Sequence, residues 1–379
     1  MIVTTSHAKY INGHPYEAPA NTIVETLVAL KKDFIFFRHS LDGRSHSTVY
    51  TYLQGINNKH YTLDLFIPFD SLRYICDVVF TTAYIFFYAI CNHDKVSLFI
   101  GVDPLNALSG VILKKLGIVR YLVYYTTDFS ERRFKNYLLN KLYFAIDKIC
   151  MLSADQTWNV SSRITALRKS QGLSDKKNLF IPNVPSTDYI AFLEKPKSKF
   201  TLVTLGVIDS QLDNFGIIDA VKELIPRYPQ IKLKIIGSGP LENEYKEYVS
   251  KHGVTENVLF LGSLNHNDAL REIATSGIGL ALYNGKWGFN YFGDSMKCRE
   301  FFCYGLPVLT TDSHSTVDDI KKYDAGIVVA CCTKDYVSGI IRLFENYERY
   351  STDSYKLAGK YNLIHKTALE SIFDEKISN

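Results

Sequence analysis

One pattern constrains this chain more than any other. Short, predominantly apolar segments alternate with stretches of helical period. In the second half the apolar segments are TLVTLGVI (201–208), KLKIIG (232–237), VLFLGSL (258–264), IGLALY (278–283), PVLTT (307–311) and AGIVVA (325–330). Between them the periodicity predicts helices over 217–228, 241–252, 266–275 and 295–304. A strand apolar on both sides needs cover on both sides, and parallel neighbours need helical crossovers to return the chain. The pattern therefore predicts an α/β fold built on a doubly wound parallel sheet.

The first half repeats this logic more loosely. Strands are expected at the opening MIVTTS, 34–40, 96–102, 119–126 and 178–184, and helices near 21–32, 70–91, 104–116, 132–149 and 161–169. A length of 379 residues suits two domains, since one domain takes about 150 residues. The polar segment EKPKSK (194–199) reads as the hinge. The expected division is a Rossmann-like lobe over 1–195, a second over 200–352, and a C-terminal helix over 353–379 that crosses back to the first. Two such lobes bring the C-terminal ends of both sheets to one cleft, and open α/β sheets bind ligands outside those ends.

Composition removes other classes. Hydrophobic residues at 46% and charged residues at 22% are the balance of an ordinary globular protein. A net charge of +4 is too small to indicate nucleic-acid binding. The charge is uneven: residues 1–195 carry 22 basic and 16 acidic groups, which points that half toward an anionic partner. Seven cysteines without a CxxC pair fit reduced thiols and a cytoplasmic protein. The opening MIVTTSHAKY has neither the basic start nor the apolar core of a secretory leader.

Several chemical signatures are missing from the text. There is no P-loop, no HExxH, no GxSxG and no Asp-x-Asp, and GSGP (237–240) lacks the third glycine of a dinucleotide fingerprint. No metal site is expected. The loops at strand ends remain. Gly206, Gly237, Ser238 and Gly239 follow strands, where glycine either lets backbone approach a ligand or makes a tight turn. In 288–312 a helix begins near Ser295, and Lys297 and Glu300 share one of its faces. There a lysine would complement a diphosphate and a glutamate would accept ribose hydroxyls. The plainer alternative is a surface ion pair among Lys297, Arg299 and Glu300. In the first half Arg38, His39, Asp103 and Asp128 fall at strand ends, with capping and turn roles as the alternative. Residues 74–91 are apolar with one charge, Asp77, and read as a buried or partly exposed surface helix, not a membrane span. Residues 132–149 read either as an ordinary solvated face or as a basic amphipathic helix meeting an anionic membrane.

At this point the second half resembles the C-terminal lobe of retaining GT-B glycosyltransferases of family 4. The matching text is LGVID near 205, KIIGSGPLENEYKEYV (234–249), VLFLGSL (258–264), ALREIATSGIGLALY (269–283) and KCREFFCYGLPVLTTD (297–312). ADQTWNVSSRI (154–164) and FIPNVPS (180–186) are similar to that family's linker-proximal pattern, while the first 150 residues match in element order only. Glu300 matches the second glutamate of the E-x7-E motif, Gly237 and Gly239 match the glycines near the nucleotide, and Asn183 matches the asparagine of a Pro-Asn-Gly-Val segment. Phe292 stands where the first glutamate belongs, with Asp294 the nearest carboxylate able to stand in. The basic pair that grips the diphosphate is replaced by the acidic loop 206–216, and Lys297 resembles the lysine of a Lys-x-x-Glu subgroup that would take over phosphate binding, helped by Arg299, Ser295 and Ser238. Thr127 and Asp128 fall on the first lobe's His-Asp pair.

The resemblance implies metal-independent, retaining transfer of a hexose from a nucleotide-diphosphate sugar to a glycan or lipid-linked acceptor, in surface polysaccharide or glycolipid synthesis. Lys297, Asp294 and Asp128 would be catalytic, and Arg38, His39 and Asp103 would line the acceptor side. The enzyme would work in the cytoplasm, peripheral at the inner membrane face. The alternatives are a non-catalytic scaffold on this fold and a sugar-nucleotide epimerase.

Overall fold

A computed structural model of the protein describes residues 1–11, 14–16, 18–41, 46–53, 56–61, 70–185, 198–285 and 288–377. The chain divides into two compact units, one of residues 1–182 with 363–379, the other of residues 183–362. The expected hinge at 194–199 lies mostly outside the described residues, and Ser198 and Lys199 already belong to a strand.

The first unit contains β1 (Ile2–Ile11), β2 (His14–Tyr16), α1 (Ala18–Ala29), β3 (Phe34–Ser40), β4 (Thr48–Leu53), β5 (Ile56–Tyr61), α2 (Asp70–Cys91), β6 (Val96–Val102), α3 (Pro104–Lys115), β7 (Val119–Thr126), α4 (Tyr137–Ser153), β8 (Gln156–Asn159), α5 (Ser162–Ser170) and β9 (Asn178–Phe180). Its strands lie in the order β5-β4-β3-β1-β6-β7-β8-β9, with β2 paired to β1. From β3 through β9 the pairing is parallel. The β4–β5 hairpin adds an antiparallel edge to β3. The central strands are apolar because both faces are covered: Val3, Ile35, Phe37, Phe99 and Leu122 are all buried in one cluster. Helix α3 packs between α2 and α4.

The second unit contains β10 (Ser198–Leu205), α6 (Asn214–Leu224), β11 (Lys232–Ile236), α7 (Glu242–Lys251), β12 (Val258–Gly262), α8 (His266–Ala274), β13 (Ser276–Ala281), α9 (Gly288–Phe292), α10 (Met296–Cys303), β14 (Val308–Thr311), α11 (Thr316–Tyr323), β15 (Gly326–Val329), α12 (Thr333–Glu345) and α13 (Tyr347–Tyr361). The chain ends in α14 (Ile364–Ile372), grouped with the first unit, whereas residues 353–361 stay with the second as part of α13. The sheet order is β12-β11-β10-β13-β14-β15, parallel throughout. The first three strands wind outward to one side of β10 and the last three to the other. This is the doubly wound Rossmann-like arrangement that the sequence predicts.

Candidate functional site

The strand order of the second unit reverses between β10 and β13, and at such a switch point the loops leaving the two strands diverge and open a crevice. Gly206 leaves β10 there, and Tyr283 follows β13. Gly206 has φ +144°, and the Nζ of Lys297 lies 2.9 Å from where a β-carbon on Gly206 would be. The same ammonium stands 5.0 Å from the centre of the Tyr283 ring. The sequence pattern thus places a lysine on α10, and the fold brings its charge to the switch point. Gly237 has φ +132°, and a β-carbon there would meet the carbonyl oxygen of Gly206 at 1.9 Å. A β-carbon on Gly239 would come within 2.3 Å of the Ile208 carbonyl oxygen. These glycines let the loops after β10 and β11 lie against each other. Ser238, between them, shares a hydrogen bond of 2.6 Å with Ser263.

Helix α10 starts where Ser295 caps it by accepting from the Cys298 N–H. One turn on from Lys297, Glu300 is buried. Burial pushes its carboxyl up to about 7, partly countered by the positive charge of Lys297. Among the described residues neither Lys297 nor Glu300 has an ion-pair partner within 4 Å, and Glu300 has no hydrogen-bond partner. A solvated surface ion pair does not describe them. They are a cation and a buried, unmatched acceptor on one helical face, which suits a ligand that brings anionic oxygens to one and hydroxyls to the other.

Three expectations in this unit need correction. Asp294, expected as the stand-in carboxylate, is fully buried and already saturated. It accepts from Arg299 Nε at 3.1 Å and Nη2 at 2.9 Å, from Thr316 Oγ1 at 2.8 Å and from the Asn183 N–H at 2.9 Å. Arg299, expected to help grip phosphate, is buried and held by Asp294 and by Asp319 at 2.6 Å, with Tyr361 beneath its guanidinium. Opposite charges are paired here because leaving either one alone in the interior is costly. Ser295 works for the helix itself, its N–H donating to Thr316 Oγ1 at 2.7 Å. The acidic loop also has local uses. Asp209 accepts from the Gln211 N–H at 2.8 Å, and Asp213 caps α6 through the Gly216 N–H at 3.0 Å while accepting from the Tyr336 hydroxyl at 2.9 Å.

In the first unit the strand-end residues form two groups. Asp103 follows β6 with φ +68° and ψ 162°, a region that costs about 1–3 kcal/mol for a residue other than glycine. It does not cap α3. Its carboxylate accepts from the Thr127 N–H at 3.2 Å and hydroxyl at 2.8 Å. Burial, then the charge of Asp128, push it up to about 6, against Arg133 and the Thr127 bonds. Asp128 is ion-paired with Arg133. The second group is His39, His7 and Asp77. His39 is buried, with Nε2 2.8 Å from Thr81 Oγ1 and Nδ1 3.2 Å from Asp77, so an open acceptor-facing imidazole is not what the fold makes of it. His7 pairs in register with His39 across β1 and β3, and its Nε2 lies 3.3 Å from the other Asp77 oxygen. Burial raises Asp77, but hydrogen bonds from His39 and His7 outweigh it and hold the carboxyl below the usual range. Arg38 lies over the Phe36 and Tyr50 rings and donates to the Tyr50 hydroxyl at 2.8 Å. His7 was not picked out from the sequence. The available signal was Asp77, the one charge among residues 74–91, which had to have partners.

Residues 186–357 match the family model described as glycosyl transferases group 1. An uncharacterized glycosyltransferase of Methanocaldococcus jannaschii is 22% identical over 185 residues, 46% of this chain and 39% of that protein. The chitobiosyldiphosphodolichol beta-mannosyltransferase of Candida albicans is 28% identical over 135 residues, 35% of this chain and 29% of that protein. The matched stretches thus span well under half of either relative's length. Among solved structures, Anabaena HepE in complex with UDP superposes with a TM-score of 0.62 at 13% identity, covering 98% of this chain and all of that one. The fold is that of the GT-B glycosyltransferases, two Rossmann-like units in one chain.

Proposed function

We propose that the protein is a retaining hexosyltransferase that takes a sugar from a nucleotide-diphosphate donor and gives it to a glycan or lipid-linked acceptor. The observation that carries this reading is the placement of Lys297 at the β10–β13 switch point with the partnerless Glu300 one turn away. The group 1 match over the same unit supports it, as does the UDP bound by a protein of the same fold. In this scheme the diphosphate lies over Gly206 against Lys297, and Glu300 accepts two ribose hydroxyls. As the sugar–phosphate bond breaks, negative charge grows on the β-phosphate, and a fixed cation in a partly dry site stabilises that charge more than it stabilises the intact donor. The acceptor hydroxyl attacks on the face the phosphate leaves, and a phosphate oxygen takes its proton, so no protein nucleophile is needed. In the first unit Asp103 is assigned to the acceptor and Asp128, ion-paired with Arg133, to the catalytic side. Asp103's strained backbone and raised carboxyl are features that collect at working sites.

A binding-only scaffold is favoured by one observation: Asp294 is committed to Arg299, so no free carboxylate replaces the one lost at Phe292. Titration and turnover separate the two readings. The enzyme reading expects UDP, GDP or ADP to bind with loss of affinity in Lys297→Ala, and a labelled donor to give product with the donor's anomeric configuration by NMR. Nucleotide binding without turnover, or no binding at millimolar nucleotide, ends the enzyme reading and favours the scaffold.

A further inference from the structure

Helix α2 shows an apolar stripe to solvent. Leu72, Ile75, Val79, Phe87 and Ile90 are all exposed, Val79 by 61% and Phe87 by 63%. Their spacing of three and four residues, with a two-turn step of seven from Val79 to the half-buried Phe86, keeps most of them along one side. The opposite side is fixed in the unit: Arg73, Thr81, Ile85 and Ala89 are buried, and Asp77 is held by His7 and His39. A helix held along one side in this way lies on the unit with its other side turned outward. Two helices along the same layer, α4 repeats the pattern. Leu138, Leu142, Ile149 and Leu152 are exposed, Leu138 by 72%, with Lys141 and Lys148 between them. A monomer in water seldom leaves this many large apolar side chains bare along two helices.

Charge says what covers it. At the start of α4 a cavity of about 590 Å³ is lined by Arg132, Lys135, Lys141, Tyr137 and Phe144, with Glu131 as its one carboxylate. Among the described residues none of the three cations has an acidic partner within 4 Å. Lys141 lies over the Tyr137 ring at 5.0 Å, and Arg132 donates to the Lys135 carbonyl at 3.1 Å. Exposed leucines beside unmatched cations and an aromatic rim are the surface an anionic bilayer fits: apolar side chains enter the acyl boundary, and cations meet phosphate at the headgroup level. A second copy of this chain would bring the same cations against themselves.

We propose that the first unit docks on an anionic phospholipid bilayer with α2 and α4 lying in its plane, the phosphate of one lipid headgroup seated in the cavity of Arg132, Lys135 and Lys141. The test is flotation of the full chain with vesicles of phosphatidylcholine alone and of phosphatidylcholine mixed with phosphatidylglycerol, read without nucleotide, so its result is separate from the donor reading. Binding is expected on the mixed vesicles only, weakened by added salt. Removing two headgroup cations in Lys135→Ala/Lys141→Ala is expected to weaken it by roughly 30-fold, at about 1 kcal/mol each. Ile75→Ser/Val79→Ser is expected to abolish flotation while the unfolding temperature stays unchanged, since both side chains are exposed. Equal recovery with both vesicle types, flotation that survives these substitutions, or a dimer in sedimentation that Ile75→Ser/Val79→Ser dissolves would each overturn the proposal.

Discussion

Lys297 and Arg299 stand two residues apart on α10 and do opposite work. Arg299 turns inward to Asp294 and Asp319, while Lys297 reaches the loop after β10 without a counterion among the described residues. Single substitutions tell the two roles apart. Lys297→Ala should cost a nucleotide diphosphate about 1.5–3 kcal/mol of binding, on the order of tenfold to a hundredfold in Kd by calorimetric titration, and leave folding intact. Asp294→Ala should leave the buried Arg299 guanidinium with Asp319 as its one carboxylate, free the Thr316 and Asn183 donors, and cost about 3 kcal/mol of stability, seen as a lower denaturation midpoint. Glu300 adds a pH signature. Its carboxyl rises from an ordinary 4.5 to about 7 in the folded chain, so the folded state holds the proton that the unfolded state has lost between those values. Stability attributable to this group therefore falls as pH climbs from about 4.5 and levels off above about 7, a penalty on the order of 3 kcal/mol. Glu300→Gln should flatten that slope in denaturation measured across this range, and an unchanged slope would show that the carboxyl titrates normally.

At the scale of elements, the predominantly apolar strands could be read directly. Residues 34–40, 96–102 and 119–126 are strands as the pattern predicts, and helix 70–91 has its expected bounds. The β4–β5 hairpin escaped because it forms the edge of the sheet, where TVYTYL mixes threonines with apolar residues and INNKHY is mostly polar, so neither reads as an apolar run. The short β8 escaped because it has four residues, QTWN, whose strand character comes from pairing with β7 and β9. Helix α2 was readable as a surface helix, but the sequence did not show which of its sides faces water. The loops after β10 and β11 make a prediction of their own. In Gly237→Ala the added carbon meets the Gly206 carbonyl at a positive φ. A loss of more than about 1 kcal/mol is expected, with nucleotide affinity falling alongside it. Wild-type stability in thermal unfolding would mean that the loop relaxes.

For the whole molecule, the expected readout is linkage. A nucleotide diphosphate that binds only the folded second unit should raise its stability by about 2.7 kcal/mol when present at a hundred times its Kd. A thermal-shift panel of UDP, GDP, ADP and CMP then ranks the base, and CMP should trail because it lacks the second phosphate that Lys297 would meet. If CMP matches UDP, Lys297 is not gripping a diphosphate.

The sequence by itself determined the class of fold, because burial on both faces and crossover helices leave a period-level trace in the text. It also singled out Lys297 and Glu300 as a pair. The tertiary structure alone decided which charges were already spent. Asp294, Arg299 and His39 looked as available as Lys297 when read along the chain, yet their partners come from 183, 319 and 77. Ion pairs and hydrogen bonds are set by distance in space, and only the folded chain fixes those distances.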